Sequence, residues 1–231
     1  MGSWELSSDD KIYISLICIY SVVIGVLWNV PFLNPVLKPF KLITIALHEF
    51  GHASACVLTG GKVESITVEA DEGGLTTMRG GVRWITLPAG YLGSCLWGGL
   101  MIFFSKDSVG VQVMAGLLGG VCVLVLWWSD NWLVRGVIVL FMALIGAFWA
   151  IQLTTSFRGL EYFVLLFGVM SCLYSIWDIW DDTIRRRVNE SDASQFAKEC
   201  PCCPSRGWGL IWSVIAIAVA AGSATAAVYI W

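Results

Sequence analysis

Long apolar runs alternate with short polar breaks along almost the whole chain. Seven apolar segments are visible, at residues 12–30, 42–58, 85–104, 109–128, 132–153, 160–180 and 208–230. A bilayer core of about 30 Å takes about 20 helical residues to cross, and most of these segments are long enough. The first is ended by Pro31, Pro35 and Pro39. The second is short, so it is expected to sit at mid-depth with help from its neighbours. Residues 59–84 break the pattern. They carry the pairs Gly60-Gly61, Gly73-Gly74 and Gly80-Gly81 and the alternating run Val63-Glu64-Ser65-Ile66-Thr67-Val68-Glu69. That combination predicts one or two short β-hairpins. A free strand edge there is suited to pairing with an extended peptide, and a plain solvated hairpin is the equal alternative. The predicted fold class is an all-α polytopic membrane protein of about seven transmembrane helices, with a small β-hairpin loop between the second and third. One integral membrane domain is expected over residues 1–231, with a polar N-terminus (1–11), the hairpin loop (59–84) and a polar loop (181–207).

Composition agrees. The 231 residues are 57% hydrophobic and 13% charged, where a soluble domain carries about 25% charged residues. The net charge of -3 points to no nucleic-acid partner. Trp28, Trp127, Trp128, Trp132, Trp208 and Trp231 lie near segment ends, where aromatic belts meet the headgroups. The partners are therefore the lipid bilayer and something within it; oligomeric state is not encoded in any pattern. Residues 1–10 are acidic and lack the basic stretch of a cleaved signal peptide, so the first span is expected to stay as an anchor.

Orientation follows from lysine and arginine. Seven alternating spans put the N-terminus, the hairpin loop and the 181–207 loop on one side. That side holds Lys11, Lys62, Arg79, Arg83, Arg185, Arg186, Arg187, Lys198 and Arg206, with Arg135 nearby. The other side holds Lys38, Lys41, Lys106 and Arg158. The N-terminus and both larger loops are thus expected in the cytosol.

The chain has two histidines, and they stand four apart around a glutamate in Leu47-His48-Glu49-Phe50-Gly51-His52. On a helix, i and i+4 share a face, so both imidazoles can reach one metal ion, with Glu49 placed as general base for water. Ionisable groups at membrane depth cost about 2.5–3.5 kcal/mol each on insertion scales, which marks this trio as functional. A catalytic zinc wants three protein ligands. With no third histidine, the third must be Asp, Glu or Cys. The expected ligand is Asp178, in Trp177-Asp178-Ile179-Trp180-Asp181-Asp182 at the end of the sixth segment; Asp181 is the alternative. Asp181 and Asp182 can instead pair with Arg185 and Arg186 at i+4. Of eight cysteines, Cys18, Cys56, Cys95, Cys122 and Cys172 fall in apolar segments as packing residues. Cys200, Cys202 and Cys203 lack paired C-x-x-C spacing, so lipidation or plain thiols is expected rather than a second metal site.

These residues give the chain a resemblance to the site-2 protease family of intramembrane zinc metalloproteases, in its compact B-type branch without a PDZ domain. The resemblance rests on the motif at residues 47–52 followed by Thr59-Gly60-Gly61, on Pro88-Ala89-Gly90-Tyr91-Leu92-Gly93-Ser94, on Asp178-Ile179-Trp180-Asp181-Asp182, and on Ser191-Asp192-Ala193. It implies zinc held by two His and a distant Asp, with the Glu as general base. The family's Leu-Asp-Gly around its third ligand is absent here, as is the Gly-Pro-x-x-Asn element of its third core span. The implied activity is hydrolysis of a peptide bond within or near the transmembrane segment of a membrane-protein substrate. The alternative is a catalytically silent member that binds or sorts transmembrane clients. A transporter is a third reading, but no internal repeat supports it.

Overall fold

Local chemistry sets the helix boundaries in a computed structural model that describes residues 6–30, 32–181 and 191–231. The helix α1 (Ser8–Asn29) opens on a capping box, in which Ser7 Oγ accepts from the Asp10 N–H (3.1 Å) and Asp10 Oδ2 from the Ser7 N–H (2.9 Å). The helix α2 (Asn34–Leu58) has Pro35 in its first turn, where the missing N–H costs nothing. The strands β1 (Lys62–Val68) and β2 (Gly74–Arg79) form one antiparallel hairpin, with a bulge between Val63 and Ser65. Then come α3 (Arg83–Thr86), α4 (Ala89–Phe104), α5 (Ser108–Trp128), α6 (Trp132–Thr154), α7 (Gly159–Trp180), α8 (Asp192–Glu199) and α9 (Ser205–Ile230). Asp107, Asn131 and Ser191 cap α5, α6 and α8 through their side chains.

Every predicted apolar segment contains a helix. Five of them (α1, α5, α6, α7 and α9) are long and apolar enough to cross a membrane, and α4 is a shorter apolar helix. The expectation of a short second segment is corrected. α2 begins at Asn34, ahead of residue 42, because Pro35 and Pro39 are taken into the helix rather than ending its predecessor. Pro31, Asp182, Arg185, Arg186 and Arg187 lie outside the described residues, and so does the expected pairing of Asp181 and Asp182 with the arginines.

α4 is the central helix, packed on α7, α9 and α2. It meets α7 at Gly98 and Gly168: a Cβ on Gly98 would lie 2.6 Å from Cys172 Sγ, and one on Gly168 2.9 Å from Gly98 O. Small residues at such crossings let backbones approach closely in lipid. An aromatic stack of Phe40, Phe141, Phe163 and Phe167 fills the space between α2, α6 and α7, with ring centroids 4.5–5.8 Å apart.

The bundle has two distinct ends. One holds the hairpin, α3, the α5–α6 turn, the end of α7, and α8; Ile66 of β1 bridges to Ser129 in that turn. The other holds the α4–α5 and α6–α7 turns and Trp231, whose ring lies 5.7 Å from Phe103. The N-terminal end of α1 belongs to this second end. Asp10 pairs with Lys106, Tyr13 Oη donates to Ile102 O (2.5 Å), and Trp28 further along lies 6.0 Å from Tyr174. The sequence expectation put the N-terminus on the side of the hairpin; in the structure the two lie at opposite ends of the bundle. Alternation assumes that each segment makes a full crossing opposite to its neighbour. α2 does not return to the far end: Lys41 Nζ bonds Glu72 in the hairpin turn (3.2 Å), and Phe40 beside Phe167, then His48 beside Tyr174, show α2 advancing along α7 in α1's direction.

Candidate metal centre

The i, i+4 spacing puts His48 and His52 on the α2 face that meets the start of α4. Their Nε2 atoms lie 3.1 Å apart. Asp192 Oδ2 completes a triangle, 3.2 Å from His48 Nε2 and 3.0 Å from His52 Nε2. All three residues are mostly buried. A tetrahedral zinc with bonds of about 2.0–2.1 Å separates its ligand atoms by about 3.3 Å, so this triangle fits the ion.

The surroundings orient the two imidazoles. His52 Nδ1 is 2.7 Å from Thr86 O. A carbonyl only accepts, so Nδ1 carries the proton and, in the neutral ring, Nε2 keeps its lone pair for a metal. The His48 ring stands edge-on to Tyr91 at 4.9 Å. Gly90 supplies the room: a Cβ there would overlap both Nε2 atoms. Gly51 and Gly93 bring α2 and α4 together, since a Cβ on Gly93 would lie 3.1 Å from Gly51 Cα.

Asp192 is the first residue of α8. Phe196, one turn on, seats that helix against Trp208 (4.8 Å) and Trp212 (5.4 Å). Arg83 Nε pairs with Glu199 at 2.7 Å and its guanidinium reaches Gln195 at 3.3 Å. Burial alone would raise the Asp192 carboxyl, but His52 and His48 beside it hold it well below the usual carboxylate range.

The structure therefore brings Asp192 to the histidines in the place where the sequence expectation put Asp178. Asp178 lines the same cavity from α7, one turn beyond Tyr174, whose ring is 6.2 Å from that of His48. Asp181 is the C-terminal cap of α7. Cys200, Cys202 and Cys203 are free thiols between α8 and α9 and contribute nothing to this cluster.

Glu49 points to the hairpin. Thr76 Oγ1 lies 2.7 Å from Glu49 Oε2 and 3.0 Å from Glu49 O. The cavity, about 790 Å³, runs from Glu49 and the histidines along β2 past Gly74, Thr76 and Met78 to Gly81 and Arg83. The outer edge of β1 is occupied: Asp130 N–H donates to Ile66 O (3.2 Å) and Asn131 Nδ2 to Val68 O (2.9 Å). The outer edge of β2 carries no further strand among the described residues, and β2 borders the cavity. Sequence reasoning counted Ser191-Asp192-Ala193 among the stretches that carry the resemblance and Gly74 among the turn signals of the hairpin, but gave Asp192, Thr76, Gly74 and Thr86 no part in the site. For Asp192 a signal existed: a serine cap followed by Ala193 and Phe196 on one face marks a short amphipathic helix able to fold back.

A family model described as Peptidase M50B-like matches residues 17–223. No curated protein and no solved structure matches the chain.

Proposed function

The chain belongs to the Peptidase M50B-like family, and on that premise we propose that it is an intramembrane zinc metalloendopeptidase. The carrying observation is the convergence of His48 Nε2, His52 Nε2 and Asp192 Oδ2 within 3.0–3.2 Å of one another, with Glu49 on the same helix. These three residues would hold the ion. Zinc bound there supplies Lewis acidity, which activates water and polarises a peptide carbonyl. Glu49 takes the proton of the attacking water and returns it to the leaving amine. Thr86 O fixes the His52 tautomer, and Tyr91 packs against the His48 ring, so neither ligand has to reorganise.

The substrate is the transmembrane segment of a membrane protein. A helix hides its carbonyls, so the scissile stretch must be extended when it reaches Glu49. The open edge of β2 offers main-chain groups for such a stretch to pair with. Replacing Glu49 with Gln is expected to leave zinc content unchanged and to lower cleavage of dye-labelled transmembrane peptides by about 10²–10⁴-fold, the range that positioned acid–base groups supply. Undiminished cleavage by E49Q sinks the mechanism. Zinc binding with no cleavage of any peptide in a broad panel by the wild type replaces it with the client-binding reading.

We also infer that the hairpin end faces the cytosol and the N-terminus the opposite side. Lys62, Arg79, Arg83, Arg135, Lys198 and Arg206 lie toward the hairpin end, with Arg185, Arg186 and Arg187 in the polar loop that follows α7. Lys106, Arg158 and Lys11, next to Asp10, mark the other end. Cytosolic loops are the basic ones. Exposed Cys202 should react with a membrane-impermeant maleimide from the cytosolic face only, and an N-terminal epitope should be reached only from the other. Both on one face rules this orientation out.

A further inference from the structure

We propose that β2 is part of the catalytic apparatus: Thr76 is a positioning residue for the Glu49 carboxylate, and Gly74 leaves the space that carboxylate occupies. The proposal rests on the reading of Glu49 as the base. Successive side chains of a strand point to opposite faces, so positions 74 and 76 share one. That face is turned to α2. The Thr76 hydroxyl is buried and has one proton to give. It lies 2.7 Å from Glu49 Oε2 and 3.0 Å from Glu49 O. The main-chain oxygen already accepts within the helix ladder. The carboxylate is the stronger acceptor and the shorter contact, so the proton goes there. At position 74 a Cβ would overlap Glu49 Oε1 and lie 2.8 Å from Ile45 Cγ2. Glu49 thus stands between a hydroxyl that holds one oxygen and a bare backbone that admits the other.

This couples two tasks on one strand. The inner face of β2 orients the base and its outer edge borders the cavity in which the substrate lies. A peptide pairing with that edge runs alongside the residue that aims Glu49. The hairpin turn is tied down separately, by Glu72 to buried Lys41. The base therefore takes its aim from a second element, anchored to α2 at two points, as well as from its own helix.

The test compares Thr76→Val, Thr76→Ser and Gly74→Ala with wild type and Glu49→Gln in the full-length protein in detergent. Val keeps the shape of Thr and removes the donor; Ser keeps the donor. Thr76→Val is expected to bind zinc as wild type does and to lose about 10- to 100-fold in kcat with KM little changed, the scale of one hydrogen bond to a charged group. Thr76→Ser should restore most of the rate, and Gly74→Ala should behave as Thr76→Val does. Each variant is also loaded with Co²⁺ and its visible spectrum recorded, a readout that needs no substrate. The Thr76→Val band should move as that of Glu49→Gln does, and the Thr76→Ser band should overlay wild type. Thr76→Val matching wild type in rate and spectrum, while Glu49→Gln matches in neither, overturns the positioning role and leaves the protease reading intact. Glu49→Gln matching wild type in rate overturns the protease reading itself. If no peptide is cleaved at all, the cobalt spectra alone decide: a Thr76→Val spectrum identical to wild type defeats the proposal, and a shift reversed by Ser upholds it.

Discussion

Gly90→Ala is expected to cost the protein its metal while leaving the fold in place. The new methyl group would overlap Nε2 of both His48 and His52 and lie 2.6 Å from His48 Cε1. Neither helix can withdraw to make room. α4 is held against α2 where Gly93 faces Gly51, and against α7 where Gly98 faces Gly168. The soft degrees of freedom are the imidazole torsions, so the rings turn away. His52 then gives up its bond to Thr86 O, and the triangle with Asp192 opens. Altering groups that merely orient ligands lowers metal affinity by about 10–100-fold. Displacing two ligands should cost at least the upper figure. Overpacking a helix contact costs about 1–3 kcal/mol, which a bundle of this size survives. Zinc retained per folded chain, measured against a graded chelator, reads the effect. Gly93→Ala is the control: it crowds the same helix pair one turn along and points at backbone rather than at a ligand. Wild-type zinc affinity in Gly90→Ala would show that the rings have more room than this geometry gives them.

The sequence made some of this legible because the physics there is local. Apolar runs of bilayer length, H-E-x-x-H on one helix face, and a glycine-bounded β-branched alternation each depend on neighbours within a few residues. All three appear in the structure, as helices, as two imidazoles on one helix face with their Nε2 atoms 3.1 Å apart, and as a hairpin. What could not be read depends on long-range packing. Asp178 was expected as third ligand because it is the acidic residue closest to membrane depth. Asp192 stands beside the histidines instead, on a short helix whose amphipathic pattern is visible in the sequence but whose seat, Phe196 against Trp208 and Trp212, is a contact between distant residues. The N-terminus stands at the other end of the bundle from the hairpin for a related reason. Counting spans treats each apolar segment as one full pass along the bundle, whereas α2 runs toward the hairpin, where Lys41 meets Glu72. Thr76 and Gly74 look like ordinary strand and turn residues until the hairpin folds onto Glu49.

Asp192→Ala should abolish high-affinity zinc binding, and Asp178→Ala should not. Asp192 Oδ2 stands 3.0 and 3.2 Å from the two Nε2 atoms, whereas Asp178 borders the cavity from α7. Removing one of three protein ligands leaves a His pair that binds zinc far more weakly, by at least about 100-fold if orienting groups alone are worth 10–100-fold. Asp178→Ala should instead disturb the cavity wall and, where cleavage is followed, raise KM. Stability gives an independent reading. A ligand that binds only the folded state adds about 4 kcal/mol at a thousandfold excess over its Kd. Chelation should therefore lower the melting temperature of the wild type and of Asp178→Ala by several degrees. Asp192→Ala should melt at one temperature with or without chelator, and Asp192→Asn, which keeps the shape but gives up the charge, should fall between. The reverse pattern, with zinc lost in Asp178→Ala and kept in Asp192→Ala, would mean that α8 leaves the histidines when the ion binds and that α7 supplies the third ligand. The contacts of Phe196 with Trp208 and Trp212 argue against that outcome, because releasing α8 would expose the aromatic face that seats it.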